Sequence, residues 1–245
     1  MNWKHFMLGS YYIIRSIFRF SDFSSQYLIQ NHYVDLPLSK KEKMDESISS
    51  TLFSSIVTLL TTYSIPKSIF STYNPFDLRL IEYVENNQLQ LFTTCFAFTY
   101  FGYDLIKCIY HKKYIFVLHH IAALNLLYTG FDSFTQNDSK GFYIMYFIFL
   151  LESNTPLLNI GYLLKENKFH YSITCASWIV HLGIYILFRL VMIPKLILIY
   201  YMYEGITWKT LFQLPNFMLI LAGSTYWSYR QWIGIQKYLK ENSVI

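Results

Sequence analysis

The stretch that decides the fold is residues 114–130, with the sequence YIFVLHHIAALNLLYTG. Almost every side chain in it is apolar, yet two adjacent histidines, His119 and His120, lie near its middle. Ionisable groups are costly in hydrocarbon, so in a membrane helix they usually face the bundle interior or a wet cavity and belong to a functional site. The stretch therefore predicts a membrane helix bundle with a buried polar centre.

The composition of the whole chain favours the same class. The 245 residues are 53% hydrophobic and only 14% charged, whereas soluble domains carry roughly 25% charged residues. Several apolar runs approach the roughly 20 residues that a bilayer-spanning helix needs. A large soluble all-helical protein is the rival class, but its helices would carry a polar stripe with helical period, which these runs lack.

The net charge of +5 does not indicate nucleic-acid binding, because the basic residues are scattered over short loops and chain ends without a basic face or a base-stacking motif. The cysteines lie inside or at the edges of apolar stretches, without metal-ligand spacing or a disulfide framework. They are Cys95, Cys108 and Cys175. We interpret them as small buried hydrophobic side chains.

The apolar runs predict an all-α, polytopic membrane bundle of six or seven transmembrane helices. The candidate spans are 6–30, 48–65, 89–110, 114–130, 142–164, 173–203 and 211–233. The first contains Arg15, Arg19 and Asp22, so an interfacial helix is the alternative there. The intervening segments 31–47, 66–88 and 131–141 are predicted as loops, the second with room for a short surface helix.

Basic residues next to the spans predict the orientation. The lysines and arginines near 40–43, 107–113, 165–168 and 230–240 fall on one side if the spans alternate, and cytosolic loops carry the Lys and Arg excess. We therefore expect a cytosolic C-terminus. The expected organisation is an N-terminal span with a cytosolic loop (1–44), one membrane domain (45–236) and a cytosolic tail (237–245).

Carboxylic acids lie in the spans on both sides of the histidine helix, Asp104 before it and Glu152 after it. Adjacent helical residues point about 100° apart, so His119 and His120 face different neighbours. A carboxylate that accepts an imidazole N–H orients the ring, which makes these four residues the catalytic candidates. The alternative is that the histidines link helices by hydrogen bonds. Metal binding is a further alternative, because two histidines with carboxylates suit zinc or iron. Adjacent histidines on one helix have poor ligand spacing, however, so no metal site is expected.

Glu152 lies in the sequence LESNTPLLN. Pro156 cannot donate to the carbonyl of Glu152 and should kink the helix, and Asn159 falls on the Glu152 face. A kink beside an acid and an amide is typical of a polar pocket; a plain packing kink is the alternative. Asn159 is therefore a substrate-binding candidate.

His181 and Arg189 are the other substrate-binding candidates. They lie eight residues apart on one broad face of the 173–203 run, in which Pro194 suggests a kink or an exit to the interface. Arg189 could pair with a lipid phosphate or with Glu152. Extension of its side chain to the membrane interface is the alternative.

Three segments resemble the TLC domain, named for TRAM, Lag and CLN proteins, over about residues 45–236. They are YFGYDLIKCIYHKKYIFVLHHIAAL, FLLESNTPLLNIGYLL and LGIYILFRLVMIP. The resemblance is greatest to the transmembrane TLC-domain-containing proteins, a branch associated with membrane lipid homeostasis. It is more distant to the ceramide synthases, which N-acylate a sphingoid base from acyl-CoA.

The resemblance implies roles for single residues. His119 and His120 match the paired histidines that are essential in ceramide synthases, Asp104 matches the preceding acid, and Glu152 begins the family's E-S-x-T-P-x-L-N element. The acidic stretch of the ceramide synthases is absent, and Ala123 and Phe53 stand where relatives often have Thr and His. These departures point away from acyltransferase activity.

Three functions follow as hypotheses. The first is a lipid-homeostasis protein that binds a sphingolipid or phospholipid in an intramembrane pocket. The second is an acyl-CoA-dependent N-acyltransferase, with His120 or His119 as general base. The third is a non-catalytic cargo receptor or translocation-associated protein. We expect no cofactor other than acyl-CoA as co-substrate, an endoplasmic reticulum or plasma membrane location, and leave a homo-oligomer open.

Overall fold

The structure is a computed structural model that describes residues 3–28, 37–64, 87–135 and 141–242, and within these ranges the chain forms helices and no strand. The helices are α1 (Trp3–Leu28), α2 (Leu38–Ser64), α3 (Asn87–Tyr110), α4 (Tyr114–Thr135), α5 (Gly141–Glu152), α6 (Thr155–Glu166), α7 (Tyr171–Tyr185), a π-helical segment (Ile186–Met192), α8 (Ile193–Glu204) and α9 (Trp208–Asn242).

Six of the seven described rods close into a ring. α5 and α6 form one interrupted rod, and α7, the π-helical segment and α8 form another. In order around the ring, α2 packs against α3, α3 against α4, α4 against α9, α9 against α7, α7 against α6, and α6 against α2. α1 lies outside, against α2 and α3, while α5 also contacts α3 and α4. The ring therefore surrounds an interior that α5 fills from one end.

Aromatic side chains pack α2 against α3 on one side of the helix ring. Phe53 of α2 is fully buried and stacks on Tyr100 of α3, with ring centroids 3.5 Å apart and planes within 5°. The rings of Phe53 and Phe101 pack edge-to-face, with their centroids 5.8 Å apart. Phe53 thus makes an apolar contact between α2 and α3 and adds packing rather than a polar group.

Large apolar side chains cover the outside of the bundle. Ile115, Leu118 and Ile121 of α4 are each about half exposed, although a soluble protein would bury such a row. By length and apolar composition, two of the described stretches could cross a membrane: Met145–Glu166 and Tyr171–Met202. A shorter apolar helix covers Tyr114–Thr129. These features indicate an integral membrane protein.

The prediction of a loop at 31–47 is wrong for the residues of this segment that the structure describes, because α2 begins at Leu38 and includes the mixed-charge run. Two contacts explain the helix. Met44 is fully buried, and Glu46 accepts from Lys113 Nζ at 2.7 Å. Lys and Glu are good helix formers, and tertiary contacts here give them an apolar face to bury. The expected segment 1–44 therefore contains helix where a loop was expected.

Other boundaries also shift. The loop predicted at 131–141 is helical as far as Thr135, and the expected tail is helical as far as Asn242. The helix interruption near Pro156 is confirmed, since α5 ends at Glu152 and α6 begins at Thr155. The loop predicted at 66–88 lies outside the described residues, except for its last two residues, which begin α3.

Candidate functional site

Asp104 and His120 lie opposite each other in the α3–α4 hairpin. Asp104 is six residues before Tyr110, where α3 ends, and His120 is six residues after Tyr114, where α4 begins. At 1.5 Å per residue both lie about 9 Å from the hairpin turn. Their side chains meet, with Nε2 of His120 2.8 Å from Oδ2 of Asp104.

This contact is close, but it is not a well-directed hydrogen bond. The distance lies in the hydrogen-bond range, yet neither ring nitrogen of His120 has a hydrogen-bond partner among the described residues. Since direction governs hydrogen-bond strength as much as distance does, we treat the contact as electrostatic. His120 is only 5% exposed. Its imidazole ring is therefore buried, and the described residues supply no hydrogen bond to either of its nitrogens.

His119 faces a different neighbour, as the 100° step between helix residues requires. Its ring packs at right angles to Trp227 of α9, with centroids 5.0 Å apart. Within the described ranges, its Nδ1 is buried without a hydrogen-bond partner. The two histidines therefore connect α4 to α3 on one side and to α9 on the other.

Glu152 lies at the break between α5 and α6. It is 7% exposed, and its Oε2 accepts a hydrogen bond from Ser54 Oγ of α2 at 2.8 Å. Pro156 lies in the first turn of α6 and has no N–H to continue the helix. The interruption therefore places a carboxylate in the bundle interior, where the hydroxyl groups of Ser54 and Thr155 are hydrogen-bond donors to it.

Arg189 also lies at this break. Its Nη2 donates to the carbonyl oxygen of Leu151 in the last turn of α5, where a continuous helix would have supplied the donor. Its Nε and Nη1 are buried and have no hydrogen-bond partner in the described part of the chain. Arg189 is 6% exposed, so it points inward. Extension of this side chain to the membrane interface, the alternative above, does not occur.

The π-helical segment sets the direction of Arg189. Single π-helical turns are rare and often occur at functional sites. Tyr185 lies midway between His181 and Arg189, and the three form a stripe: the His181 and Tyr185 rings are 5.5 Å apart, and the guanidinium carbon lies 5.0 Å from the Tyr185 ring centre. His181 Nδ1 is 2.7 Å from Gln231 Nε2 on α9.

More unfilled hydrogen-bonding groups surround the break. Asn154 is 1% exposed, and both its amide oxygen and its amide nitrogen are buried without a partner among the described residues. The same holds for Asn159 Nδ2, Tyr185 Oη and His181 Nε2. Native proteins leave few buried polar groups unpaired, and each such group calls for an explanation.

The charged groups of this interior lie within electrostatic reach of one another. Arg189 and His120 both interact with Glu152, and Arg189 also interacts with His119 and His181. The fold thus brings the two histidines, Glu152, Arg189 and His181 together around the interrupted rod. Asp104 joins them through His120.

A small cavity adjoins Glu152. It is lined by apolar side chains of α3, α4 and α5, among them Phe101, Leu127 and Phe147, and the space open to the centre of a water molecule is about 10 Å³. That is close to the lower limit for one water molecule. A lipid headgroup would therefore need the surrounding helices to move apart.

The N-terminal turns of α2 form a polar rim beside α6. Lys40 Nζ lies 3.2 Å from Glu166 Oε2, and Lys43 Nζ lies 4.3 Å from the centre of the Tyr162 ring. Burial lowers the pKa of Lys43 from its ordinary value, and the carboxylate of Glu166 opposes this shift. These contacts hold the mixed-charge run, predicted as a loop, against the bundle.

Sequence reasoning missed several members of this interior. Tyr185 could have been found from its position four residues from both His181 and Arg189. Ser54 could not be distinguished in the sequence from the many other serine and threonine residues of its span. Asn154, Trp227 and Gln231 gave no signal, because only the packing of α6 and α9 shows that they face inward.

One of the comparisons with known proteins identifies the family of this helical bundle. The family model of the TLC domain matches residues 43–234, which is more than half of the chain and runs from the first to the last helix of the ring, without the first turn of α2 and the end of α9. No individually curated protein and no solved structure matches the chain. The all-α helical bundle fits this domain, and the family suggests a function related to membrane lipids. The chain therefore belongs to the TLC-domain family.

Proposed function

We propose that this protein binds the polar headgroup of a membrane lipid inside the helix ring and acts in lipid homeostasis. The observation that carries the proposal is a set of buried polar atoms around the interrupted rod that have no hydrogen-bond partner in the part of the chain that the structure describes. They belong to His120, Asn154, Tyr185 and Arg189. Each unpaired buried group destabilises the fold by roughly 1–3 kcal/mol. A headgroup that supplied the missing partners would remove this cost.

The chemistry of the unpaired groups fits a phospholipid or sphingolipid headgroup. Nε and Nη1 of Arg189 are two donors of a charged guanidinium group without a hydrogen-bond partner among the described residues, and a charged donor favours the oxygens of a phosphate. Glu152 offers a carboxylate to an ammonium or hydroxyl group of the same headgroup. The family suggests a lipid partner in general. Arg189 and Glu152 together favour a lipid whose headgroup carries both an anionic group and a hydrogen-bond donor.

The test is the lipid that stays with the purified protein. Mass spectrometry should find phospholipid or sphingolipid at about one molecule per chain in wild-type protein, and little in Arg189→Gln. Arg230→Gln is the matched control, because Arg230 is exposed on α9. Equal lipid content in wild type and Arg189→Gln would contradict the proposal.

A second candidate function is N-acylation of an amine from acyl-CoA. The observation that favours it is the carboxylate of Asp104 beside the His120 ring, an arrangement in which an acid orients a histidine base. Purified protein would be assayed with a long-chain base and acyl-CoA, against the double variant His119→Ala/His120→Ala. Product formation that the double variant does not lower would exclude this candidate.

The proposed location is the endoplasmic reticulum membrane, with the C-terminus cytosolic. The lysines of the α3–α4 turn and of the α2 rim support this orientation, because cytosolic segments carry the Lys and Arg excess. A tag after residue 245 should be accessible to protease in intact microsomes. A tag that is protected from the protease would show that the C-terminus lies in the lumen, which would contradict the proposed orientation.

A further inference from the structure

Cys108 is the one member of the Asp104–His120 neighbourhood that the proposed function does not use. Asp104 and Cys108 lie four residues apart on α3, and His120 faces them from α4. A carboxylate oxygen of Asp104, the Cys108 sulfur and a ring nitrogen of His120 all lie within 4.8 Å of one another. Three different kinds of metal-binding side chain thus converge in one place.

The local structure explains why they converge. Residues four apart share one face of a helix, so Asp104 and Cys108 point the same way from successive turns of α3. The short turn at residues 111–113 makes α3 and α4 antiparallel, and His120 falls at the level of Asp104. The separation of four residues is a chelating spacing on a helix, which the adjacent histidines do not provide.

The state of His120 gives a second, independent observation. The ring is 5% exposed, and neither nitrogen has a hydrogen-bond partner among the described residues, although Nε2 lies 2.8 Å from Asp104 Oδ2. Buried polar groups are normally paired, so the carboxylate contact alone does not account for this ring. A metal ion bound by both side chains would use the lone pair of the imidazole and that of the carboxylate together.

We propose that Asp104, Cys108 and His120 form a binding site for one zinc-like divalent transition-metal ion. Sulfur, nitrogen and oxygen ligands together suit Zn²⁺, whereas Mg²⁺ and Ca²⁺ take oxygen ligands. Zinc binds these atoms at about 2.0–2.3 Å, which places tetrahedral ligand atoms about 3.3 Å or more apart. Side-chain rotations must therefore bring the Cys108 sulfur closer and move Nε2 of His120 slightly away from Oδ2 of Asp104, from which it is 2.8 Å distant. On binding, the Cys108 thiol releases its proton to solvent and no electron is transferred.

Three protein ligands leave the fourth tetrahedral position open, as in zinc sites that bind water or a substrate oxygen. The site is not fully enclosed by the bundle, since the Asp104 side chain is 25% exposed. A histidine that binds a metal through Nε2 cannot take up a proton there. Metal binding would therefore exclude His120 as the base of the second candidate function.

The test uses the full-length protein in detergent, with its affinity tag removed and metal stripped by a chelator. Titration with Co²⁺ should give one ion per chain, a thiolate-to-Co²⁺ charge-transfer band in the near ultraviolet, and visible bands typical of tetrahedral cobalt. Zn²⁺ should displace the cobalt and abolish the bands. Wild-type protein that takes up no cobalt, or takes it up without the thiolate band, would overturn the proposal and leave Asp104 and His120 as an ion pair only.

Variants identify the ligands. Cys108→Ser should abolish the charge-transfer band and weaken Co²⁺ binding by more than about tenfold, the loss that even an outer-shell partner causes. Cys95→Ser is the matched control, because Cys95 is buried on the same helix. His119→Gln controls for the other histidine. A band that persists in Cys108→Ser, or disappears equally in Cys95→Ser, would contradict the assignment, and neither result depends on lipid binding.

Discussion

Arg189 donates a hydrogen bond through Nη2 to the carbonyl oxygen of Leu151, at the end of α5. The other two nitrogens of the same guanidinium group are buried and have no hydrogen-bond partner within the described ranges. One side chain therefore combines a structural contact with donors that a ligand could use. A positive charge at a helix C-terminus is also favourable electrostatically.

Replacement of Arg189 should separate these two roles. Arg189→Met removes a buried charged hydrogen bond and should lower stability by about 1.5–3 kcal/mol, measured as thermal unfolding in detergent. Arg189→Lys keeps the charge but not the planar fork, so it should retain more stability and still lose bound lipid. Arg189→Met that unfolds at the wild-type temperature would show that the contact with Leu151 contributes nothing.

Ser54 and Glu152 form the second testable pair. Ser54→Ala leaves a buried carboxyl group without this donor and should destabilise the protein by about 1–3 kcal/mol. Ser55→Ala, half-buried one residue along α2, should have little effect. In a double-mutant cycle with Glu152→Gln, the two changes should be non-additive because the residues are in contact. Additive effects would argue against the hydrogen bond.

Gly161 allows α6 and α7 to pack closely. A Cβ placed on it would lie 2.4 Å from Cδ1 and from Nε1 of Trp178, closer than atoms can approach. Gly161→Ala should therefore displace the indole and lower the unfolding temperature. At Gly183 a Cβ meets nothing within 4 Å, and Gly183→Ala should be neutral or stabilise the helix by up to about 1 kcal/mol. Equal unfolding temperatures of the two variants would contradict this packing.

Met44 tests the helical form of the mixed-charge run. It is fully buried, whereas Met202 is 72% exposed. Met44→Ala should destabilise by about 2–5 kcal/mol, and Met202→Ala by much less. At roughly 2–4 °C per kcal/mol for a chain of this size, thermal unfolding would resolve the difference. If the run were a solvated loop, the two substitutions would have similar effects.

Sequence reasoning located the histidine helix, the interruption at Pro156 and the inward acid at Glu152. These features depend on local rules: apolar length, the missing N–H of proline and the high cost of ionisable groups in hydrocarbon. The predictions from sequence failed where contacts between residues distant in the chain determine the secondary structure. The run around Met44 looks like a polar loop because only its contacts with α6 and with Lys113 give it a buried face.

The amino-acid sequence by itself determined the all-helical class, the family and the level of Asp104 opposite His120, because a short turn between two helices leaves little freedom of register. Only the tertiary structure decided which way the side chains point. Arg189 of the π-helical segment reaches Leu151 at the break between α5 and α6, and His119 of α4 meets Trp227 of α9. Such meetings depend on the packing of helices that are distant in sequence, which no local pattern of residues encodes.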